Sequence, residues 1–155
     1  MTYQTISLTQ DERGIATILL NRPDKHHAMN RQMIDEMTQA FRHLADDKAA
    51  RVIVLASTGP TFCAGGDLGW MQEQMAADRA GKMAEARALS DMLTILNTLP
   101  KPVTARVQGP VYGGGIGLIC ACDIIIASNN SLFALTETRL GLIPATIGPF
   151  VISRL

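Results

Sequence analysis

The sequence predicts an α/β domain, and three observations predict it. Short apolar runs bounded by turn residues recur along the chain. Between them lie longer stretches whose apolar residues repeat at helical spacing. Two glycine-rich turns follow predicted strands, and one of them opens onto an apolar stretch that reads as a buried helix. Strands that alternate with helices in this way call for a layered α/β fold.

The elements follow in order. Residues 15–20 are apolar and β-branched and are stopped by Asn21-Arg22-Pro23, so they predict a strand. Asn30 is placed as a helix N-cap, with Met33, Ile34, Met37, Phe41 and Leu44 on one helical face behind it. Residues 51–56 predict a second strand, ending at Ser57-Thr58-Gly59-Pro60. A helix is expected over about 84–99, carrying Leu89, Met92, Leu93, Leu96 and Leu99, with Pro100 as its stop. Residues 102–107 read as a strand, 113–122 as a glycine-led buried helix, and 124–127 and 132–134 as two further short strands. The last residues, Ile152-Ser153-Arg154-Leu155, carry no glycine cap and no polar tail. They read as the first turns of a helix, and 1–155 as a truncated core domain.

Composition narrows the function. Hydrophobic residues make up 47% and charged residues 18% of the 155, a globular balance. Lys plus Arg is 14 and Asp plus Glu is 14, so no net field draws in nucleic acid or an anionic membrane. Met1-Thr2-Tyr3-Gln4 shows no basic segment followed by an apolar run, so a signal peptide is not expected. The apolar region 111–127 is interrupted by glycines and Asp123, so it predicts a buried α/β segment rather than a membrane span. Cys63, Cys120 and Cys122 are odd in number and poorly spaced for zinc, which points to buried free thiols in a reducing cytoplasm.

Three segments carry the residue types of a chemical site. Phe62-Cys63-Ala64-Gly65-Gly66-Asp67-Leu68 follows a strand, and its paired glycines allow either an ordinary tight turn or a close backbone approach to a ligand. Gly113-Gly114-Gly115 with Gly117 stands between a strand and a helix, where outward-pointing amides can hold an anion or a developing oxyanion. The glycine spacing departs from the dinucleotide G-x-G-x-x-G, because Cys120 stands where its third glycine would be, and no phosphate-loop motif occurs. Glu137 lies between the apolar runs 132–135 and 140–143, either as an acid–base group or as an exposed partner of Arg139.

Together these segments resemble the crotonase (enoyl-CoA hydratase/isomerase) superfamily in order, context and separation. The matching residues are 62–68, Gly113-Gly114-Gly115 with Cys122-Asp123, 133–144, and Leu20-Asn21-Arg22-Pro23 with Ala28. The resemblance implies a ββα superhelix of short repeated turns, with two stacked sheets and outer helices. It implies that the amides of Gly66 and Gly114 stabilise a thioester enolate and that Glu137 is the catalytic carboxylate. Lys25, Ala28, Ala64, Asp67 and Leu68 would contact the acyl-CoA. Coenzyme A would arrive as part of the substrate, with no separate cofactor and no metal. Family members are longer, and the part absent here corresponds to C-terminal helices that complete the site and much of a trimer interface. A homotrimer or dimer of trimers is therefore expected of a full-length chain.

One position departs from the typical hydratase. The first of its two glutamates falls at Gly117 here. Gly117 is therefore expected to leave empty space, filled either by assistance from a substrate carboxylate or by a bulkier acyl group. Residues 67–72, 113–118 and 135–146 look most like the branch acting on 3-methylglutaconyl-CoA and related glutaconyl-CoAs. Hydration of an α,β-unsaturated acyl-CoA is the expected reaction. Isomerisation, thioester hydrolysis and non-catalytic acyl-CoA binding stand as alternatives on the same scaffold. His26-His27 is not a metal pair by spacing, and His43 is expected on a helix surface. Trp70 and Met71 are read either as core or as lining of an acyl pocket.

Overall fold

The computed structural model describes residues 2–155. Strand β1 (Ile6–Gln10) pairs antiparallel with β2 (Ile15–Leu20). Beyond β2 the sheet is parallel, through β3 (Val52–Ser57), β4 (Val103–Val107) and β6 (Ile124–Ala127). A separate parallel pair joins β5 (Val111–Tyr112) to β7 (Phe133–Ala134).

The expected helix behind Asn30 is α1 (Arg31–Asp46), and Asn30 Oδ1 accepts from the Met33 amide at 3.0 Å. Its buried stripe of Met33, Ile34, Met37, Ala40, Phe41 and Leu44 lies in the same core cluster as Ile18, Leu20, Ile53 and Leu55 from the sheet. Two more helices follow β3: α2 (Leu68–Ala76) and α3 (Arg79–Asn97). The third helix starts earlier than expected because Asp78 caps it, accepting from the Gly81 amide at 2.7 Å. Its buried residues Met92, Leu93 and Leu96 are among those expected. A short helix α4 (Gly114–Cys120) is buried along most of its length, and α5 (Gly148–Ile152) packs near it.

Other features differ from the expectation. The last residues, expected as the first turns of a helix, instead close one, since α5 ends at Ile152 with Ser153 as its C-cap. No strand was expected before Ile15, yet Ile6, Leu8 and their polar alternates form β1. The segment 111–127 is buried only as far as Cys122. Ile124 and Ile126 are 51% and 61% exposed, because β6 is the edge strand of its sheet.

The parallel arrangement positions the site. In parallel sheets, ligands gather beyond the carboxyl ends of the strands. Here the loops after β2, β3 and β5 all reach that end. Backbone bonds knit them together: Ala64 N donates to His26 O (3.0 Å), Met29 N to Gly65 O (2.7 Å), Asp67 N to Met29 O (2.8 Å) and Tyr112 N to Cys63 O (2.9 Å). Three loops far apart in sequence thus form one wall.

Candidate active site

A cleft of about 920 Å³ opens along that wall. Lys25, Ala28, Ala64, Gly66, Asp67, Leu68, Gly114 and Glu137 all line it, so every site residue expected from the sequence meets in one place.

The two glycine loops come within contact of each other at Gly65 and Gly114. Gly65 has φ +94°, and a Cβ added there would sit 3.0 Å from Tyr112 O and 3.4 Å from Gly114 N. A side chain at this position would be strained and would push the loops apart. Gly113 has φ +48°, which turns the chain from β5 into α4 and leaves the Gly114 amide at the helix start. Among the described residues, neither the Gly66 nor the Gly114 amide donates to any group. Both are therefore free for a ligand, and a helix-start amide carries partial positive charge.

Glu137 follows β7, which is held by the bond from Gly113 N to Ala134 O at 3.0 Å. A Cβ at Gly113 would be 3.2 Å from Glu137 Oε1, so a side chain there would crowd the carboxylate. The other oxygen, Oε2, is buried with no hydrogen-bond partner among the described residues. A buried, unsatisfied acceptor is costly and is ordinarily paired, so it marks a place awaiting a donor. No ion pair joins Glu137 to Arg139, although both line the cleft.

Behind the glycines lies a smaller pocket of about 180 Å³, lined by Met29, Trp70, Met71, Leu89, Leu142 and Ile147, among others. It shares Gly66, Gly114 and Glu137 with the outer cleft. The paired amides and the carboxylate therefore sit at the junction between a wide outer groove and a narrow apolar one. Trp70 answers to both readings, packing against the core while it lines this pocket, and Met71 lines both the pocket and the outer cleft. Trp70 is further fixed by its ring N–H, which donates to Glu85 at 2.9 Å.

The expected empty space at Gly117 is not there. A Cβ on Gly117 would meet Ile147 Cγ2 at 2.5 Å and Leu93 Cδ1 at 3.4 Å. Ile147 fills the room, so the bend before α5 and the bare helix face at Gly117 are complementary. The sequence could not place Ile147, because nothing local relates it to a residue thirty positions away. The sequence likewise gives Arg22 no role of its own, since it enters only as part of a strand stop and of the segment 20–23 that carries the resemblance.

Asp67 is committed to its neighbours. Its Oδ1 caps α2, accepting from the amides of Gly69 (2.9 Å) and Trp70 (3.3 Å), and its Oδ2 accepts from Arg22 at 3.0 Å. Burial pushes its proton affinity up, but the Trp70 amide and the Arg22 guanidinium outweigh this and hold it below the usual carboxylate range. Arg22 also donates to Ala28 O, which ties Asp67 to the Lys25–Ala28 side of the cleft.

His26 and His27 both lie in the left-handed region, with φ 49° and 54°. His27 is buried, and Nε2 must donate to Thr58 O (2.9 Å) because a carbonyl can only accept. Its Nδ1 accepts from the Arg22 amide at 3.1 Å, so the ring is neutral. No group of three or more side chains suited to a metal occurs among the described residues. Cys63 and Cys122 are buried and their thiols are pushed up to about 12, chiefly by desolvation, which leaves them unreactive. No helix among the described residues is long and apolar enough to cross a membrane.

An α/β scaffold with free glycine amides and a half-buried carboxylate at one cleft defines the class of fold and site. The comparisons supply the family. Residues 10–155 match the enoyl-CoA hydratase/isomerase family, and the chain belongs to it. It is 36% identical over 141 residues to enoyl-CoA hydratase AKT6-1 of Alternaria alternata, covering 91% of this chain and 45% of that protein. It is 31% identical over 150 residues to the mitochondrial Delta(3,5)-Delta(2,4)-dienoyl-CoA isomerase of Mus musculus, covering 90% and 45%. An enoyl-CoA hydratase structure from Shewanella pealeana superposes with a TM-score of 0.92 at 40% identity, covering 96% of this chain and 56% of that one. The chain thus spans about half the length of the curated relatives it matches.

Proposed function

We propose that this chain carries the acyl-CoA site of an enzyme that hydrates an α,β-unsaturated acyl-CoA. One observation carries the reading: Gly66 and Gly114, whose amides donate to no group among the described residues, and Glu137, one of whose oxygens has no partner there, line a single cleft. The thioester carbonyl accepts from Gly66 and Gly114, which stabilise negative charge as it moves onto that oxygen. Water adds at C3 while Glu137 takes its proton, and the same carboxyl then delivers a proton to C2. Lys25, Ala28, Ala64 and Leu68 hold the coenzyme A portion in the outer groove, and the acyl chain enters the apolar pocket. Asp67 braces the loop.

A second reading has its own support. Ile147 occupies the space at Gly117, so Glu137 is the one carboxylate lining the inner pocket among the described residues. One carboxylate suffices to carry a proton between C2 and C4, which is double-bond isomerisation. The glutaconyl-type acyl group rests on the subgroup resemblance alone. No cationic side chain lines the inner pocket among the described residues, so an acyl carboxylate would need to reach Arg139 in the outer cleft. A trimeric assembly and a cytoplasmic setting rest on the resemblance alone.

The test is incubation with crotonyl-CoA and 3-methylglutaconyl-CoA in heavy water. Loss of the enoyl-thioester absorbance with deuterium at C2 supports hydration. Deuterium at C2 and C4 with the double bond moved supports isomerisation. Binding without exchange or turnover leaves a non-catalytic acyl-CoA site.

A further inference from the structure

Arg22 touches none of the reacting groups in the mechanism above, yet it is held at three points. Its amide donates to His27 Nδ1 at 3.1 Å, and its guanidinium donates to Ala28 O and to Asp67 Oδ2 at 3.0 Å. The Arg22 and Asp67 side chains are only 17% and 16% exposed, so water screens their charges weakly. Among the described residues this is the only ion pair Asp67 makes.

Asp67 follows Gly66 directly, and consecutive Cα atoms lie about 3.8 Å apart. The Asp67 carboxylate is carried by the next residue in the chain, and its charge opposes any negative charge growing on an oxygen held at the Gly66 amide. The loop nevertheless needs an acceptor at position 67, because Asp67 caps α2 and so fixes the chain just after Gly66. The cap is therefore useful for its hydrogen bonds and harmful for its charge.

We propose that Arg22 is a positioning residue whose specific task is to cancel the Asp67 charge beside the carbonyl site. The inference rests on the reading of Gly66 and Gly114 as the carbonyl's donors. At about 6 Å and an effective dielectric of about 20, an uncompensated charge changes a rate or equilibrium by about a hundredfold. The α2 amides already share the Asp67 charge, which brings the expected loss down to about tenfold to a hundredfold. A purely structural clamp makes a different prediction: Asp67→Asn alone, which keeps the cap and loses the ion pair, then lowers the shift instead of preserving it.

The experiment uses the 155-residue chain and cinnamoyl-CoA, a conjugated thioester whose absorption moves to longer wavelength when its carbonyl is polarised. The band of the fully bound ligand is read, so weaker affinity does not confuse the result. The parent chain should show a red shift. Arg22→Met should bind the ligand yet lose most of the shift. Arg22→Met with Asp67→Asn should recover it, because Asn caps the helix without charge. Where turnover is measurable, kcat should fall about tenfold to a hundredfold in Arg22→Met and recover in the double variant. An undiminished shift in Arg22→Met, or no recovery in the double variant, overturns the inference while the reading of the two amides stands. A parent chain that fails to bind, or binds without a shift, removes that reading and the inference with it. If Arg22→Met does not fold, Asp67→Asn alone decides: a shift at least as large as the parent's supports charge cancellation, and a lost shift overturns it.

Discussion

At the scale of single residues, Glu137 lines both the outer cleft and the inner pocket, and its Oε2 is buried with no hydrogen-bond partner among the described residues. A Cβ on Gly113 would crowd the other oxygen, Oε1, at 3.2 Å. If this carboxylate moves the proton, Glu137→Gln should slow turnover by roughly 10²–10⁴ while a thioester analogue still binds. Unchanged turnover would assign the proton transfer elsewhere. His27 gives a second expectation. Burial, more than any other cause, lowers its proton affinity, and the nearby His26 and Arg22 add to this. A group whose folded value is depressed stays neutral in the fold while the unfolded chain takes up a proton below about pH 6.5. Stability should therefore fall as pH drops below about 6.5, by at most about 1.4 kcal/mol per pH unit from this residue, and level off below the folded value. Urea unfolding at several pH values checks this, and the slope should be shallower in His27→Gln. An identical slope in that variant would show that His27 does not cause it.

At the scale of elements, legibility followed the range of the interaction. The cap at Asn30, the stripe from Met33 to Leu44 and the strand at 15–20 are local patterns, and they were readable. Arg79 as the start of α3 was missed although Asp78 is a local cap, because the apolar stripe begins only later in the helix. The fit of Ile147 against Gly117 was unreadable, since it depends on how a bend before α5 folds back over α4. That fit predicts a cost. Gly117→Ala should destabilise the chain by about 1–3 kcal/mol through overpacking, seen as a lower midpoint in thermal unfolding. Shortening the opposing side chain with Ile147→Ala should recover part of the loss. If Gly117→Ala melts with the parent, the two elements are not in tight contact.

At the scale of the whole molecule, loops from three separate strand ends must assemble before any ligand can bind, so binding and folding are coupled. A thioester of coenzyme A that spans groove and pocket at about a hundred times its Kd should stabilise the chain by about 2.7 kcal/mol. The same acyl group on pantetheine lacks the adenine end and should stabilise it less at equal concentration. Equal effects would show that the groove around Lys25, Ala28 and Ala64 contributes nothing to recognition. The most direct measurement is a structure of the chain bound to a non-reactive acyl-CoA thioester. Its carbonyl oxygen should lie about 2.7–3.1 Å from the amide nitrogens of both Gly66 and Gly114, with the acyl chain beside Glu137. A carbonyl oxygen bound away from either amide would contradict the proposed site.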